Sequence, residues 1–348
     1  MVGLRLTIAA GGTGGHILPA IRIAEAITQE AQVEFICGSK DIEKTVYEGE
    51  GRHAFVLRAG RAEGRRKLLD VTLDTITMLR RFTKQRPDAV LAMGGAACFP
   101  VLAAAVVMRV PIFLHESNRI PGRVIRLYAR FAKKVFLGLG GYDGANAVMT
   151  GTPAKQMKAQ PAARDLILCY GGSQGSAKLN ELFVEVANSA EFENLNLGFL
   201  LLSGPGKVIA HPGRVEVRPY ESDMAGVLRR TAVAITRAGA GSLADLAAFE
   251  IPAILVPYPF AMDDHQTVNA LSYVDGNAAT LIRESELTAE SLTSTLRRLM
   301  DDARLRREMA ANLRPFHRPD AAATIVSEII GSIRSTARHP LPEASHAR

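Results

Sequence analysis

The segment LRLTIAAGGTGGHILPA, residues 4–20, decides the fold. Its first part is an apolar run that suits a buried parallel strand. The turn that follows contains four glycines, which let the backbone approach a ligand closely: Gly11, Gly12, Gly14 and Gly15. A helix is predicted to begin near His16, so its first turn leaves backbone N–H groups free to bind an anion. His16 then lies where proton transfer or a diphosphate contact is feasible.

The same pattern has a plainer interpretation, in which the glycines serve only tight packing between strand and helix. The spacing matches neither the dinucleotide fingerprint G-x-G-x-x-G nor the Walker A pattern, which disfavours a nicotinamide cofactor and ATP. However, ligands of α/β proteins bind at the carboxyl ends of parallel strands. A histidine at this place is therefore a candidate for function.

Composition limits the class of protein. The 348 residues suggest about two domains, and a formal charge of +7 indicates partners with negative charge: nucleic acid, an anionic lipid surface or a phosphorylated substrate. No nucleic-acid-binding motif is present, so we expect no nucleic-acid partner. Three cysteines without C-x-x-C spacing argue against a disulfide framework or a zinc site, and no metal is expected. We expect neither a signal peptide nor a membrane-spanning segment, and a cytoplasmic location.

Short apolar strands alternate with helical stretches along the chain, which predicts βαβ units and parallel sheets. The clearest strands of the first half are predicted at residues 32–37, 89–93, 111–114 and 133–137. Those of the second half are predicted at residues 166–170, 197–202, 232–236 and 253–257, with a second glycine-rich turn at 171–176 and a helix over 177–189. The fold class is therefore α/β, with two Rossmann-like domains facing one cleft.

Changes of composition divide the chain into five parts. We expect a first domain, a proline-containing linker, a second domain, an amphipathic last helix that packs back towards the first domain, and a disordered tail. Their predicted bounds are 1–150, 151–164, 165–318, 319–335 and 336–348.

The basic stretch over residues 61–86 has two interpretations. Apolar residues recur at helical spacing, and basic residues flank them. The first interpretation is a core-facing helix with a solvated basic face. The second is an interfacial surface that touches anionic lipid through its basic ring and apolar tips.

The stretch from residue 236 to 270 is the most specific in the sequence. Ser242 and Asp245 have the S-x-x-D spacing of a capping box, so Asp245 is either a helix cap or a carboxylate that accepts hydrogen bonds from a ribose diol. Asp263 and Asp264 can cap a helix on which His265 and Asn269 share a face.

Four motifs together resemble the MurG family, the UDP-GlcNAc:lipid I N-acetylglucosaminyltransferases of glycosyltransferase family 28. They are GGTGGHILPA at 11–20, HESN at 115–118, GGSQGS at 171–176 and RAGAGSLADLAA…VPYPFAMDDHQTVNA at 237–270. The resemblance implies a GT-B fold and inverting transfer of GlcNAc to the C4 hydroxyl of the lipid-linked muramoyl pentapeptide. It also implies peripheral attachment to the cytoplasmic face of the inner membrane, other cell-wall enzymes as partners, and no cofactor.

The resemblance also assigns residues to roles. His16 is implied as the general base or a diphosphate contact. The residues implied to bind UDP-GlcNAc are Thr13, Gly14, Gly15, Asn118, Lys155, Ser173, Gln174, Gly175, Asp245, Gln266 and Asn269. The residues implied on the acceptor side are Gly12, His16, Gly94, Gly95, His115 and Glu116.

Three departures from the family pattern stand out. Ala96, Ala97, Cys98 and Phe99 replace a tyrosine and small residues, Asp245 replaces the usual glutamate, and Lys155 replaces an arginine. The altered residues 96–99 leave open a nucleotide-sugar hydrolase or 2-epimerase of the same fold. A non-catalytic nucleotide-sugar-binding paralogue is a second alternative, from a different functional class.

Overall fold

The computed structural model describes residues 3–27, 31–60, 65–155, 163–172 and 175–338. Each half of the chain forms one parallel sheet covered by helices. In the first half the strands are β1 (Leu4–Ala10), β2 (Ala31–Cys37), β3 (Ala54–Val56), β4 (Ala89–Gly94), β5 (Ile112–Glu116), β6 (Ala132–Leu137) and β7 (Ala147–Met149). Its helices are α1 (Gly14–Ala26), α2 (Asp41–Gly49), α3 (Arg65–Lys84), α4 (Cys98–Val107) and α5 (Arg123–Tyr128).

The second half has the same organisation. Its strands are β8 (Leu166–Tyr170), β9 (Gly198–Leu202), β10 (Val215–Arg218), β11 (Thr231–Thr236), β12 (Ala253–Leu255) and β13 (Ala279–Leu281). Its helices are α6 (Ala177–Ala187), α7 (Met224–Arg230), α8 (Ala240–Ala248), α9 (His265–Asp275), α10 (Ala289–Asp301) and α11 (Ala303–Leu313), and α12 (Ala321–Arg338) ends the described chain.

The order of the strands places the first glycine turn at the centre of its sheet. Among the described residues the first sheet runs β3-β2-β1-β4-β5-β6-β7, and the second runs β10-β9-β8-β11-β12-β13. Strand order therefore reverses between β1 and β4 and again between β8 and β11, and such switch points open a crevice at the carboxyl ends of the strands. Both sheets are parallel throughout their paired strands, as the alternation of strands and helices predicts.

Apolar runs form strands because both faces of each sheet are covered. In β1 the last five residues are buried, and all five residues of β8 are buried. Two core clusters lie on the two faces of the first sheet, and two lie on the faces of the second. The predicted strands agree with the observed strands to within two residues at each end.

The last helix leaves the second half and packs on the first. Ile325 and Ile329 of α12 are buried in the same cluster as Ile17 and Ile21 of α1. An ion pair between Lys134 and Glu328 adds a polar contact to this interface. Helix α12 continues to Arg338, so the helical chain extends three residues past 335, where the sequence analysis expects it to end. Residues 339–348 of the expected tail lie outside the described residues.

The apolar side chains of helix α3, which lies in the basic stretch, fall into a buried group and an exposed group. Phe82 is buried in the core, and Leu79 packs against it. In contrast, Leu68 is 73% exposed and Leu69 is 58% exposed, and Leu73 and Ile76 are exposed as well. The interpretation of the whole pattern as a core-facing stripe is therefore wrong for its first half. Within the part of the chain described here, no helix is both long and apolar enough to cross a membrane.

Candidate active site

Two helix N-termini meet across the cleft between the halves. Helix α1 follows the first glycine turn, and helix α8 follows the turn after β11. They approach so closely that a Cβ atom built on Gly241 lies 4.0 Å from the Cα atom of Gly15. Each N-terminus carries unpaired N–H groups and the positive end of a helix dipole. The place between them is therefore suited to an anion such as a diphosphate.

Glycines of the next strand hold the first turn in place. The Gly11 N–H donates to the Gly94 carbonyl oxygen at 3.2 Å, and Gly94 and Gly95 have φ values of +117° and +92°. A Cβ on Gly95 would lie 2.4 Å from the Gly11 oxygen, so the two turns touch backbone to backbone. Only glycine fits such a contact in this conformation.

His16 lies on the first turn of α1 with its ring against these glycines. Its Nδ1 atom lies 2.8 Å from the Gly11 carbonyl oxygen. Because a carbonyl only accepts hydrogen bonds, Nδ1 carries the proton and Nε2 is left with a lone pair. The face of the ring lies against Gly94, where a Cβ would be 2.8 Å from Nε2 and 3.0 Å from both neighbouring ring carbons. The ring is thus oriented to accept a proton at Nε2.

Glu43 supports the first turn from below. This α2 residue is only 3% exposed, and its carboxylate accepts the N–H groups of Gly12 at 2.8 Å and Gly38 at 2.5 Å. Glu43 was not predicted as a site residue from the sequence, because an acidic residue in the first turn of a helix is common and indicates nothing beyond a favourable helix start. Thr13, the N-cap residue of α1, is exposed beside it and makes no capping bond.

His115 and Glu116 end β5 and organise the loop after it. Both side chains are buried. Glu116 accepts from the N–H groups of Asn118 and Gly122 and from the Asn118 side-chain amide, so both of its oxygens are used. His115 contacts the Gly151 carbonyl oxygen and the Ser117 hydroxyl, and burial lowers its pKa to about 4. His115 is therefore neutral near pH 7, and in this structure both residues shape the loop.

Asn118 and Asn269 join the two halves. The Asn269 amide donates to the Asn118 side-chain oxygen at 3.0 Å and to the Ala238 carbonyl at 3.3 Å, and its oxygen accepts the Arg119 N–H at 2.9 Å. Asn269 is fully buried. In this arrangement its polar atoms bridge the halves, and a sugar can reach them only if the bridge opens.

The glycine-rich turn after β8 is only partly described. Ser173 and Gln174 lie outside the described residues. Gly175 has a φ of +64°, and a Cβ there would lie 2.1 Å from the Ser203 carbonyl oxygen, so the turn lies against the end of β9. Ser176 caps α6 by accepting the Leu179 N–H.

Arg237 ties together the loops at the carboxyl edge of the second sheet. It follows β11, is 6% exposed, and donates to the carbonyls of Val256 and Pro257 and to the Ser176 hydroxyl. It also forms an ion pair with Glu284. The turn after β8 and the loops after β12 and β13 therefore share one buried guanidinium. Arg237 begins the motif RAGAGSLADLAA, but no role was predicted for it, because the spacing of the motif does not show which carbonyls a guanidinium reaches.

Asp245 lies in the second turn of α8. That helix has Gly239 as its N-cap, so Ser242 and Asp245 do not form a capping box and the capping interpretation is wrong. Burial in the cleft wall raises the pKa of the Asp245 carboxyl to about 7, and the Arg22 guanidinium offsets part of the rise. Nearby, Tyr170 is buried, and its burial, together with the charge of Asp245, raises the pKa of its hydroxyl.

Residues at the start of α9 line the rim of the cleft. Asp264 occupies the N-cap position, but its carboxylate accepts from the Thr267 hydroxyl and not from the backbone. Asp263 forms an ion pair with Arg126 of the first half. Gln266 is half-buried, and its side-chain oxygen accepts the Tyr258 N–H at 3.0 Å, which leaves its NH₂ group for other partners. Lys155 is exposed at the end of a described range.

The residues after Gly95 that differ from the family pattern belong to the core. Ala97 and Cys98 are buried, and the Cys98 thiol donates to the carbonyls of Ala9 and Gly94. Burial raises the pKa of this thiol to about 12. Phe99 packs edge-on against Tyr128 at 6.2 Å. Within the described ranges, no group of three or more His, Cys, Asp or Glu side chains is placed to hold a metal ion.

Two family models match the chain: the glycosyltransferase family 28 N-terminal domain over residues 6–137 and the C-terminal domain over residues 166–325. The chain belongs to glycosyltransferase family 28. One family relative, from Synechococcus elongatus, is named UDP-N-acetylglucosamine--N-acetylmuramyl-(pentapeptide) pyrophosphoryl-undecaprenol N-acetylglucosamine transferase. It is 38% identical over 309 residues, which are 83% of this chain and 85% of that protein.

Solved structures agree with this family fold. The crystal structure of MurG from Acinetobacter baumannii has a TM-score of 0.77 at 26% identity, over 94% of this chain and 99% of that one. UDP-GlcNAc 2-epimerase from Neisseria meningitidis has a TM-score of 0.68 at 10% identity, over 94% of this chain and 100% of that one. The second likeness reflects the fold alone. The architecture is GT-B, as the sequence predicts.

Proposed function

We propose that this family 28 protein transfers GlcNAc from UDP-GlcNAc to the C4 hydroxyl of undecaprenyl-diphospho-MurNAc-pentapeptide, lipid I, with inversion. The observation that carries this proposal is the meeting of Gly15 and Gly241, where two helix N-termini converge beside His16. An oxyanion leaving group needs such N–H donors, and one donor is typically worth about 3 kcal/mol in the transition state. The relative from Synechococcus elongatus is named for this reaction.

The second half is the proposed donor side. The turn that contains Ser173, Gln174 and Gly175 would meet the diphosphate, and Asp245 would accept hydrogen bonds from the ribose. Gln266 has an NH₂ group free for a GlcNAc hydroxyl. Asn269 would contact the sugar after its bridge to Asn118 opens. Lys155 would add a positive charge near the diphosphate.

The first half is the proposed acceptor side. His16 would take the proton of the C4 hydroxyl at Nε2, which is the nitrogen that carries the lone pair when Nδ1 donates to Gly11. As the hydroxyl oxygen forms its bond to C1 of GlcNAc, the bond from C1 to the diphosphate oxygen breaks and UDP leaves with that electron pair. Thr13, Gly14 and Gly15 begin the helix whose N–H groups face the leaving group.

An assay with UDP-GlcNAc and a short-chain lipid I analogue tests the reaction. We expect release of UDP that depends on the acceptor, with formation of the disaccharide product. Consumption of UDP-GlcNAc without acceptor would identify a hydrolase or 2-epimerase. Binding of UDP-GlcNAc without turnover would identify a non-catalytic paralogue. Either of these outcomes would overturn the proposal.

His16→Ala tests the role of the histidine in the same assay. A general base contributes about 10²–10⁴-fold, so kcat should fall by that factor while UDP affinity stays within about twofold. Ser39→Ala is a suitable control, because among the described residues its hydroxyl donates to one group, the Arg58 carbonyl oxygen at 3.3 Å. A variant His16→Ala that keeps its kcat would remove His16 from the role of base.

The protein is further proposed to sit on an anionic membrane surface through α3. Leu68, Leu69, Leu73 and Ile76 expose apolar side chains there, and the exposed Arg80 and Lys84 follow on the same helix. Val107, Leu127 and Phe131, also exposed, lie on or just after the neighbouring helices α4 and α5. This pattern fits a peripheral protein at the cytoplasmic face of the inner membrane.

Vesicle sedimentation tests this surface. The double variant Leu68→Ser with Leu69→Ser should bind vesicles containing anionic lipid at least about fivefold more weakly than the wild type, because two apolar anchors are lost. Val208→Ser is the control, since Val208 is 90% exposed but belongs to the second half. Equal binding by all three proteins would contradict the assignment. Other cell-wall enzymes are proposed as partners at the same membrane.

A further inference from the structure

Glu43 is a buried carboxylate without a cation. It is 3% exposed, and no salt bridge reaches it among the residues that the structure describes. Its two oxygens accept only backbone N–H groups, from Gly12 and Gly38. Burial of an unpaired charge is costly, so such a group persists only where the backbone bonds fix it firmly. Helix α2 therefore places one negative charge against the first glycine turn.

This charge and His16 bind the same peptide group from opposite sides. The Gly11 carbonyl and the Gly12 N–H belong to one planar amide. Glu43 Oε1 accepts the Gly12 N–H at 2.8 Å, and His16 Nδ1 donates to the Gly11 carbonyl oxygen at 2.8 Å. The three groups form a continuous chain from carboxylate through peptide to imidazole. Hydrogen bonds in such a chain polarise one another, so the carboxylate makes the Gly11 oxygen a stronger acceptor.

We propose that Glu43 is a positioning residue that acts on His16 through the Gly11–Gly12 peptide group. It fixes the proton on Nδ1, leaves the lone pair on Nε2, and stabilises the imidazolium that forms when Nε2 takes the proton of the acceptor hydroxyl. The arrangement performs the task of the carboxylate in a serine-protease triad with a peptide group inserted between carboxylate and imidazole. It rests on the proposed function for the last of these steps only.

The remaining bonds of the turn support a fixed relay. The Gly11 N–H is held by the Gly94 carbonyl, and the Tyr47 hydroxyl donates to the Ala10 carbonyl at 3.2 Å. Tyr47 comes from the same helix as Glu43 and contacts the peptide one residue earlier, but it brings no charge. The Gly11–Gly12 amide is therefore bound at both its N–H and its carbonyl, and the Ala10–Gly11 amide before it is bound at both as well. A rotation of the Gly11–Gly12 amide that would reverse the polarity seen by His16 would break two hydrogen bonds.

The test uses nitrogen NMR of the full chain with ¹⁵N-labelled histidine. The signal of His16, one of eight histidines, is assigned by its loss in His16→Asn. In the wild type we expect the neutral ring to be protonated at Nδ1. In Glu43→Gln, which has nearly the same shape and no charge, we expect a mixture of the two tautomers. In the transferase assay kcat should fall about tenfold with the KM for UDP-GlcNAc within about twofold.

Tyr47→Phe is the matched control. It removes a hydrogen bond without charge from the same helix to the same turn. The His16 tautomer should therefore be unchanged, and kcat should stay within twofold of the wild type. A wild-type His16 protonated at Nε2 would overturn the proposal even if Glu43→Gln does not fold. An unchanged tautomer in a folded Glu43→Gln would overturn it as well. Because the tautomer is measured without turnover, a failure of the transferase proposal would not be mistaken for a failure of the relay.

Discussion

The cleft has two edges: the first is the glycine turn after β1, and the second is formed by the turn after β8 and the loops after β12 and β13. A buried charged side chain supports each edge, and the two side chains have opposite charge. Under the first edge, the Glu43 carboxylate accepts the N–H groups of Gly12 and Gly38. Under the second edge, the Arg237 guanidinium donates to the carbonyls of Val256 and Pro257. A carboxylate uses up backbone donors, whereas a guanidinium uses up backbone acceptors.

This difference suits the edges to different substrates. The first edge keeps a carbonyl acceptor for His16 and favours removal of a proton, as the acceptor hydroxyl requires. The second edge keeps its N–H donors, which favour a sugar diphosphate, while the charge of Arg237 is paired with Glu284. In the proposed function, two halves with one architecture thus differ in chemistry through the backbone groups that one buried side chain in each half binds.

Gly95→Ala should have the largest effect, because it breaks the first edge. The new Cβ would lie 2.4 Å from the Gly11 carbonyl oxygen at a φ of +92°. Backbone contacts of this kind cannot relax cheaply, so the free energy of unfolding should fall by about 3 kcal/mol or more. Denaturant unfolding measures this. Gly331→Ala is the control, since Gly331 is an exposed residue of α12 with no atom within 4 Å of its Cβ position, and this variant should stabilise the protein by up to about 1 kcal/mol.

Arg237→Lys should break the second edge without removing its charge. A lysine has no planar fork and cannot hold three loops, so the KM for UDP-GlcNAc should rise at least about tenfold. The KM for the acceptor should change by less than about twofold if the edges are independent. Steady-state kinetics with each substrate varied would separate the two.

Arg164→Lys provides the control for that variant. Arg164 also donates to backbone carbonyls, those of Thr231, Phe249 and Glu250. It does so at the opposite end of the strands of the same sheet. Its replacement should lower stability while leaving the KM for UDP-GlcNAc unchanged. Equal effects of both variants on donor KM would mean that Arg237 acts only through general stability.

Asp245 gives a further test of the difference between the edges, because it places a carboxyl group on the second edge. Its pKa is raised to about 7, so it is largely protonated at pH 6 and largely ionised at pH 8. A carboxylate accepts ribose hydroxyls better than a carboxylic acid, so UDP affinity should increase by up to about tenfold from pH 6 to pH 8. Calorimetric titration at several pH values measures this, and Asp245→Asn should remove the dependence.

The same carboxyl predicts the sign of a stability change. The native state keeps the proton up to about pH 7, whereas an unfolded Asp loses it near pH 4. The native state therefore binds more protons in this interval, and the free energy of unfolding should decrease as pH rises from about 4 to about 7. In Asp245→Asn this contribution should vanish. A rise in stability through Asp245 over that interval would contradict the raised pKa.

Arg126→Ala should have the smallest effect. Its ion pair with Asp263 joins the two edges at the rim, but both side chains are about half exposed. Exposed pairs contribute less than about 1 kcal/mol and are screened by salt. We expect kcat/KM within about twofold of the wild type at moderate salt. A larger loss would show that charge, and not the Asn118–Asn269 bridge, holds the halves together.

The fold was predictable because its signals are local. Apolar runs such as Leu166–Tyr170 followed by glycines determine strands and turns within a few residues, and the strand bounds agree closely. The approximate starts of α1 and α12 were predictable for the same reason. The end of α12 at Arg338 was not, because the residues after Ser335 form no further apolar turn.

The site was only partly predictable from the sequence. His16 and Asn118 could be named because they stand in motifs. Glu43 stands in none, and the role of Arg237 was not predictable although it begins a motif, because both act through backbone groups distant in the sequence. The capping interpretation of Asp245 failed because α8 begins at Ala240, earlier than the serine suggests. The partners of Asn269 depend on how the halves meet, which no spacing in the sequence encodes.

The return of α12 to the first half has a mechanical consequence. The backbone passes between the halves twice, once after Met149 and once after Leu313, and Ile325 and Ile329 anchor the second passage. Two neighbouring connections allow the halves to rotate about the line that joins the connections, but they resist twisting and sliding of one half against the other. Opening and shutting should therefore follow a single arc, along which Gly15 and Gly241 separate and return to the same register at every turnover.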